Sequence, residues 1–148
     1  GEIMFKELVQ ADGVVVKEEA DDWKEAVRHA CAPLVAHGSV PCEYSDEVVK
    51  SVEELGPYIF LAPHIAMPHV QLDGKTDLDV AVLKLNHPVV YDDNHEAQLF
   101  VAFSARDGQS HIEMIQELAT FLIKEKNVDA LLKAKCESDI YQYIKTNG

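Results

Sequence analysis

Three features of the sequence predict an α/β fold, with a mixed central β-sheet flanked by helices on both faces. Short apolar runs rich in β-branched and aromatic residues recur at 58–62, 78–85 and 98–105. Segments with apolar residues at helical spacing alternate with them. Gly and Pro punctuate several of the junctions.

Asp21 or Asp22 is suited to cap a first helix in which Trp23, Ala26, Val27, Ala30 and Leu34 share one face, with Gly38 as the stop. Pro33 lies inside it. Proline has no N–H to donate and crowds the preceding turn, so a kink or an early end is expected there. A second helix is predicted from near Ser45 and Asp46; it buries Val48, Val49, Val52 and Leu55 and stops at Gly56, where Pro57 enforces the exit. The apolar runs at 58–62, 78–85 and 98–105 read as largely buried strands. Ser110-His111-Ile112-Glu113 has the form of a capping box, so a helix is expected to open at His111 and carry Met114, Ile115, Leu118, Phe121 and Leu122 as an apolar stripe. Further helices are predicted from Asn127 and from Ser138.

The 148 residues fall within the usual size of one domain, and with no internal repeat or Pro/Gly/Ser-rich linker a single domain over 1–148 is expected. Gly1 stands where an initiating Met would, so Gly1, Glu2 and Ile3 are expected to be tag remnants without functional meaning. No apolar run approaches the roughly 20 residues that span a bilayer, and Glu2 and Glu7 occupy a start that would be basic and then apolar in a secretory signal. A cytoplasmic protein is expected. The net charge of −13 would repel a phosphate backbone and anionic lipid headgroups, which argues against nucleic acid and membrane as partners and favours a basic protein face. Cys31, Cys42 and Cys136 form no Cys-x-x-Cys pair, and each is expected to be a small buried residue.

The seven histidines raise the question of metal binding, but their spacings match no strong signature. His64 and His69 are set between prolines that exclude a metalloprotease helix, and His29 and His37 lack a completing carboxylate. His87 and His95 read as solvent-facing turn residues. The informative segment is 56–69, in which a strand-like run leads to Ile65-Ala66-Met67, then Pro68 and His69. Pro68 fixes φ and withdraws a donor, which presents the imidazole of His69 at the end of an element. On this pattern His69 is either a turn residue or a catalyst.

Ile65-Ala66-Met67-Pro68-His69 resembles the phosphorylation motif of the mannitol/fructose-type enzyme IIA family of bacterial sugar phosphotransferase systems. Ala20 to Ala26, Val52 to Ile59, Ala62-Pro63 and Ser110 to Glu113 resemble its ascorbate-type branch, and the similarity runs in order from about Ala20 to Ile144. The resemblance implies a three-layer sandwich and a phosphocarrier. His69 would accept a phosphoryl group from phospho-HPr and pass it to a cysteine of a cognate enzyme IIB, with the membrane sugar permease a separate part and no cofactor or metal required. His111 matches a second histidine that opens a helix beside the phosphohistidine, where free N–H groups and the helix dipole would stabilise the added charge.

This sequence also departs from the family. Glu53 and Gln71 stand where the wider family and the ascorbate-type branch carry arginines, and His64 stands where a glycine is usual. Arg106 resembles a position at which mannitol-type members have an arginine, and it is the candidate replacement cation. The missing arginines support an alternative, a regulatory or degenerate enzyme IIA-like module that binds a partner without efficient transfer. A metal hydrolase built on His64, His69 and His111 is a third reading.

Overall fold

In the strand Asp79–Asp92, Val80 and Val82 face one side of the sheet while Ala81, Leu83 and Leu85 face the other, the period of two that a strand buried on both faces requires. Leu99, Val101 and Phe103 repeat the pattern against Phe100 and Ala102 in the neighbouring strand His95–Ser104. The core is therefore two apolar clusters, one on each side of a sheet.

The structure is a computed structural model that describes residues 3–72 and 74–148. Gly1 and Glu2, two of the expected tag remnants, lie outside the described residues, as does Asp73. In chain order the elements are α1 (Phe5–Leu8), a 3-10 turn (Ala11–Gly13), β1 (Val14–Lys17), α2 (Trp23–Ala36), α3 (Tyr44–Leu55), β2 (Phe60–Ala62), β3 (His64–Ala66), β4 (Asp79–Asp92), β5 (His95–Ser104), α4 (Gly108–Leu122), α5 (Glu125–Lys133) and α6 (Glu137–Asn147). The sheet order is β1-β4-β5-β3-β2, with β1 parallel to β4, β4 antiparallel to β5, β5 parallel to β3 and β3 antiparallel to β2. Residues of α2 and α3 fill one face, those of α1, α4, α5 and α6 the other. This is the three-layer arrangement the sequence predicts.

Several local expectations are corrected. The helix capped by Asp22, whose carboxylate accepts from the Glu25 N–H at 2.8 Å, continues through Pro33 to Ala36 rather than ending early. That cap is worth about 1 kcal/mol. Leu55, expected in the core, is 75 % exposed, because it falls on the last turn of α3 before Gly56, whose φ of 94° turns the chain away. The run at 58–62 gives only the short edge strand β2, half open to solvent, and the Ile-Ala element after it is itself a strand. His87 lies inside β4 and His95 opens β5, so they belong to the two strands of a hairpin rather than to its turn. Cys31 is buried, which pushes its thiol up to about 12, but Cys42 and Cys136 are exposed.

The N-terminal segment is fastened by His37, which follows α2. Its Nδ1 lies 2.8 Å from the buried Asp79 carboxylate and its Nε2 lies 2.8 Å from Asp12. Two carboxylates facing both ring nitrogens call for two N–H donors, hence an imidazolium. Burial alone would lower the pKa of His37, but the bonds to Asp79 and Asp12 outweigh it and the net shift is upward. The clasp thus stabilises fully below the ordinary histidine range and is lost as pH rises through the raised value. Urea melts at pH 6 and pH 8 should give a parent that loses this contribution at the higher pH, and a His37→Gln variant that lacks that pH-dependent step.

Candidate functional site

His69 follows the C-terminal end of β3, beside the C-terminal end of the parallel strand β5 and the start of α4. Its imidazole stacks on Phe103, with ring centroids 4.7 Å apart and planes at 20°. Tyr58 meets it edge-on at 5.1 Å, and the His111 ring lies 5.2 Å away. Such aromatic packing contributes about 0.5–1.5 kcal/mol per pair beyond the buried area and leaves the ring few orientations.

The tautomer of His69 follows from one contact. Nδ1 lies 2.5 Å from the backbone oxygen of Met67, and a carbonyl oxygen only accepts, so Nδ1 carries the proton. In the neutral ring Nε2 then holds a free lone pair. Burial pushes the His69 pKa down to about 4, with the Met67 bond opposing and the adjacent His111 adding to the fall. At cellular pH the ring is therefore a neutral nucleophile.

Charge distinguishes this pair from the other histidines. His29, His37, His64, His87 and His95 each face a carboxylate, at 3.5, 2.8, 3.9, 3.1 and 2.7 Å respectively. His69 and His111 instead face each other and Phe103. Among the described residues, a histidine pair that faces no carboxylate suits a bound anion better than the other five histidines do.

The start of α4 differs from the expected capping box. Asp107, not Ser110, is the cap: its carboxylate accepts from the Ser110 N–H at 2.8 Å, and the Ser110 hydroxyl oxygen accepts in return from the Asp107 N–H at 3.1 Å. His111 lies one turn into the helix, with its own N–H donated to the Asp107 carbonyl at 2.9 Å. The backbone donors of Ser110 and His111 are thus committed to the cap. Bonds from the Ser110 backbone and hydroxyl hold the Asp107 carboxyl below its ordinary range, so a negative charge also sits at this end. What His111 offers an anion is its imidazole, kept neutral by burial.

Arg106 directs its Nε to the Asp77 carboxylate at 2.8 Å, and both side chains are well exposed. Its backbone N–H donates to the Ser110 hydroxyl at 3.0 Å, which ties its position to the α4 cap. Glu53 points to Lys24 of α2, with a 3.0 Å ion pair. The amide nitrogen of Gln71 lies 3.4 Å from the point where a Cβ on Gly108 would stand, so residue 71 reaches the first turn of α4. His64 adopts a left-handed φ of 72° just before a register shift between β3 and β5, a conformation that glycine holds without strain.

Tyr44, Tyr58 and Phe103 are the site neighbours that sequence reasoning missed. Tyr58 donates its hydroxyl proton to the His69 carbonyl at 2.5 Å, and the buried Tyr44 hydroxyl bonds to the chain on either side of the site. No local signal marks them, because each acts across a gap in sequence.

An α/β sandwich of this topology is the fold of the mannitol-type enzyme IIA proteins. The chain belongs to the phosphoenolpyruvate-dependent sugar phosphotransferase system EIIA 2 family, whose profile matches residues 7–147. It is 30 % identical over 146 residues to the ascorbate-specific EIIA component of Escherichia coli K12, with 95 % of each chain covered. Among solved structures it is similar to the mannitol-specific cryptic phosphotransferase enzyme IIA CmtB of Escherichia coli, with a TM-score of 0.87 at 26 % identity over 97 % of this chain and 99 % of that one. A complex of enzyme IIA for mannitol with phosphorylated enzyme IIB, also from Escherichia coli, shares the fold with a TM-score of 0.80 at 22 % identity, covering 93 % and 97 %. Among the described residues, no helix is long and apolar enough to cross a membrane.

Proposed function

We propose that His69 carries the phosphoryl group in a relay from phospho-HPr to an enzyme IIB cysteine. The observation that carries this reading is the Met67 carbonyl on Nδ1, which commits the proton to one ring nitrogen and leaves the other as the nucleophile. Nε2 attacks the phosphorus of the donor phosphohistidine, forming an N–P bond as the donor's N–P bond breaks, and the donor imidazole leaves neutral. His69 then bears a positive ring and a phosphoryl dianion, with Nδ1–H still donated to Met67. In the second step a thiolate attacks the phosphorus, an S–P bond forms as the Nε2–P bond breaks, and the His69 imidazole leaves neutral with its Nδ1 proton in place. The mannitol enzyme IIA complex with phosphorylated enzyme IIB supplies the precedent for the second partner. The ascorbate-specific relatives make ascorbate the first substrate system to test.

His111 is assigned the stabilising role. Its neutral ring can donate one N–H to a phosphoryl oxygen, and the dianion would in turn favour its protonation. His111→Ala is expected to slow transfer by roughly ten- to hundredfold while leaving His69 able to be labelled, since the loss is of one donor. Peptide mapping checks this; stable label on residue 111 in the parent would reverse the roles.

The whole reading is tested by incubating the protein with phosphoenolpyruvate, enzyme I and HPr. One acid-labile phosphoryl group per chain is expected, discharged on adding the cognate enzyme IIB. A second reading, a regulatory module without efficient transfer, is favoured by Glu53 and Gln71 at the arginine positions and by Asp107 at the anion end of α4. A parent that resists labelling by active HPr would establish it.

A further inference from the structure

The loop carrying His69 is closed into a hydrogen-bonded ring by one side chain from a distant helix. The Pro68 carbonyl accepts from the Phe103 N–H at 3.2 Å. The Phe103 carbonyl accepts the Tyr44 hydroxyl proton at 2.6 Å, and the Tyr44 oxygen accepts from the Val70 N–H at 3.2 Å. The Val70 carbonyl is farther from that hydroxyl, at 3.3 Å, so its single proton goes to Phe103. The ring passes through the residues before and after His69 and through the residue whose aromatic face the imidazole stacks on. Tyr44 comes from the first turn of α3, and its side chain is fully buried.

We propose that Tyr44 is the positioning residue of this site: its hydroxyl fixes both the backbone that presents His69 and the Phe103 platform that sets the direction of Nε2. Burial pushes its pKa upward, so the proton it donates is present throughout the working pH range. No other side-chain group is needed to join the two segments at this point. Without the hydroxyl, the Val70 N–H and the Phe103 carbonyl lose their partners in a buried setting, and the loop is free to shift against β5. In-line transfer tolerates little of this, because a misplacement of about 1 Å costs up to about a hundredfold in rate. This inference rests on the phosphocarrier reading for its kinetic consequence, but not for its structural one.

The test is Tyr44→Phe, which keeps the ring in the core and removes only the oxygen. Single-turnover transfer from preformed phospho-HPr should fall roughly tenfold in maximal rate, with the half-saturating HPr concentration unchanged. Nitrogen NMR of the His69 ring should show its pKa rising from about 4 towards the ordinary 6.5 as the ring loosens and hydrates. Ile140→Val, a comparable loss in the opposite core cluster, should lower thermal stability and move neither readout. A folded Tyr44→Phe protein with the parental rate and the parental His69 titration overturns the proposal, as does a change confined to HPr affinity. Should the variant fail to fold, the parent decides: slow exchange of the Val70 amide and the Tyr44 hydroxyl proton supports the ring, and exchange as fast as in an open loop overturns it. If the parent accepts no phosphoryl group, the carrier reading fails separately, and the His69 titration in Tyr44→Phe still decides the positioning role.

Discussion

His69→Ala is expected to reduce phosphoryl acceptance from phospho-HPr to background, a loss of more than about 10³-fold, while the protein remains folded. The size of the effect follows from the site: His111 is the nearest other imidazole, yet among the described residues no carbonyl fixes its ring in a nucleophilic tautomer as Met67 fixes that of His69. The fold is expected to survive because the ring is only partly buried at the end of β3 and its removal costs mainly the contacts to Phe103, Tyr58 and His111. Label accepted by the Ala variant at the parental level would remove His69 from the mechanism.

The same residue gives the parent a pH signature. With its pKa pushed down to about 4 by burial, against an ordinary 6.5, native His69 resists a proton that the unfolded chain accepts. Stability from this group is therefore fully present above 6.5 and is lost as pH falls towards 4, by about 3 kcal/mol in all. His37 acts in the opposite sense, losing its contribution as pH rises, so the two together favour a stability maximum near neutral pH. In the His69→Ala protein the acid-side loss is smaller. The acceptor step itself should hold its rate at pH 5.5, where an unperturbed imidazole would be mostly protonated; transfer that halves near pH 6.5 would show the ring to be less buried than it is here.

The large features were legible because they repeat. Alternation of apolar residues in 78–85 and 98–105, and helical spacing in 22–37 and 111–122, report burial on defined faces, and the two-sided core follows from them. Ends were less legible. Asp107-Gly108-Gln109-Ser110 and Ser110-His111-Ile112-Glu113 both have the shape of a helix start, and the choice is made by Arg106, whose N–H also finds the Ser110 hydroxyl. β1 was not anticipated, since four residues of VVVK have no period to read; it exists because β4 offers a parallel edge. In the site, Pro68-His69 and His111 were visible as local signals. Phe103, Tyr58 and Tyr44 were not, because what makes them functional is the approach of β5 and α3 to the end of β3. The His37 clasp was not anticipated for the same reason, its two carboxylates coming from Asp12 and Asp79, both remote in sequence.

Arg106→Ala is expected to slow phosphorylation of His69 by roughly ten- to hundredfold, the range for losing one charge-assisted donor to a phosphoryl dianion. In the unphosphorylated chain the guanidinium is held by Asp77, but that pair is exposed at both ends and contributes no more than about 1 kcal/mol. A phosphoryl group carries about two charges and three acceptor oxygens, so it can outcompete one solvated carboxylate for the arginine. Asp77→Asn tests the exchange directly: releasing Arg106 should raise the transfer rate about two- to fivefold, the equivalent of the weak pair removed. Gln71→Arg tests the same need for a cation from the other side. Residue 71 already reaches the first turn of α4 beside Gly108, one turn before His111, so an arginine there should recover much of the rate lost in Arg106→Ala. Parental transfer in Arg106→Ala would make that arginine a bystander to the chemistry. An Asp77→Asn protein slower than the parent would mean that the ion pair positions Arg106 rather than restraining it.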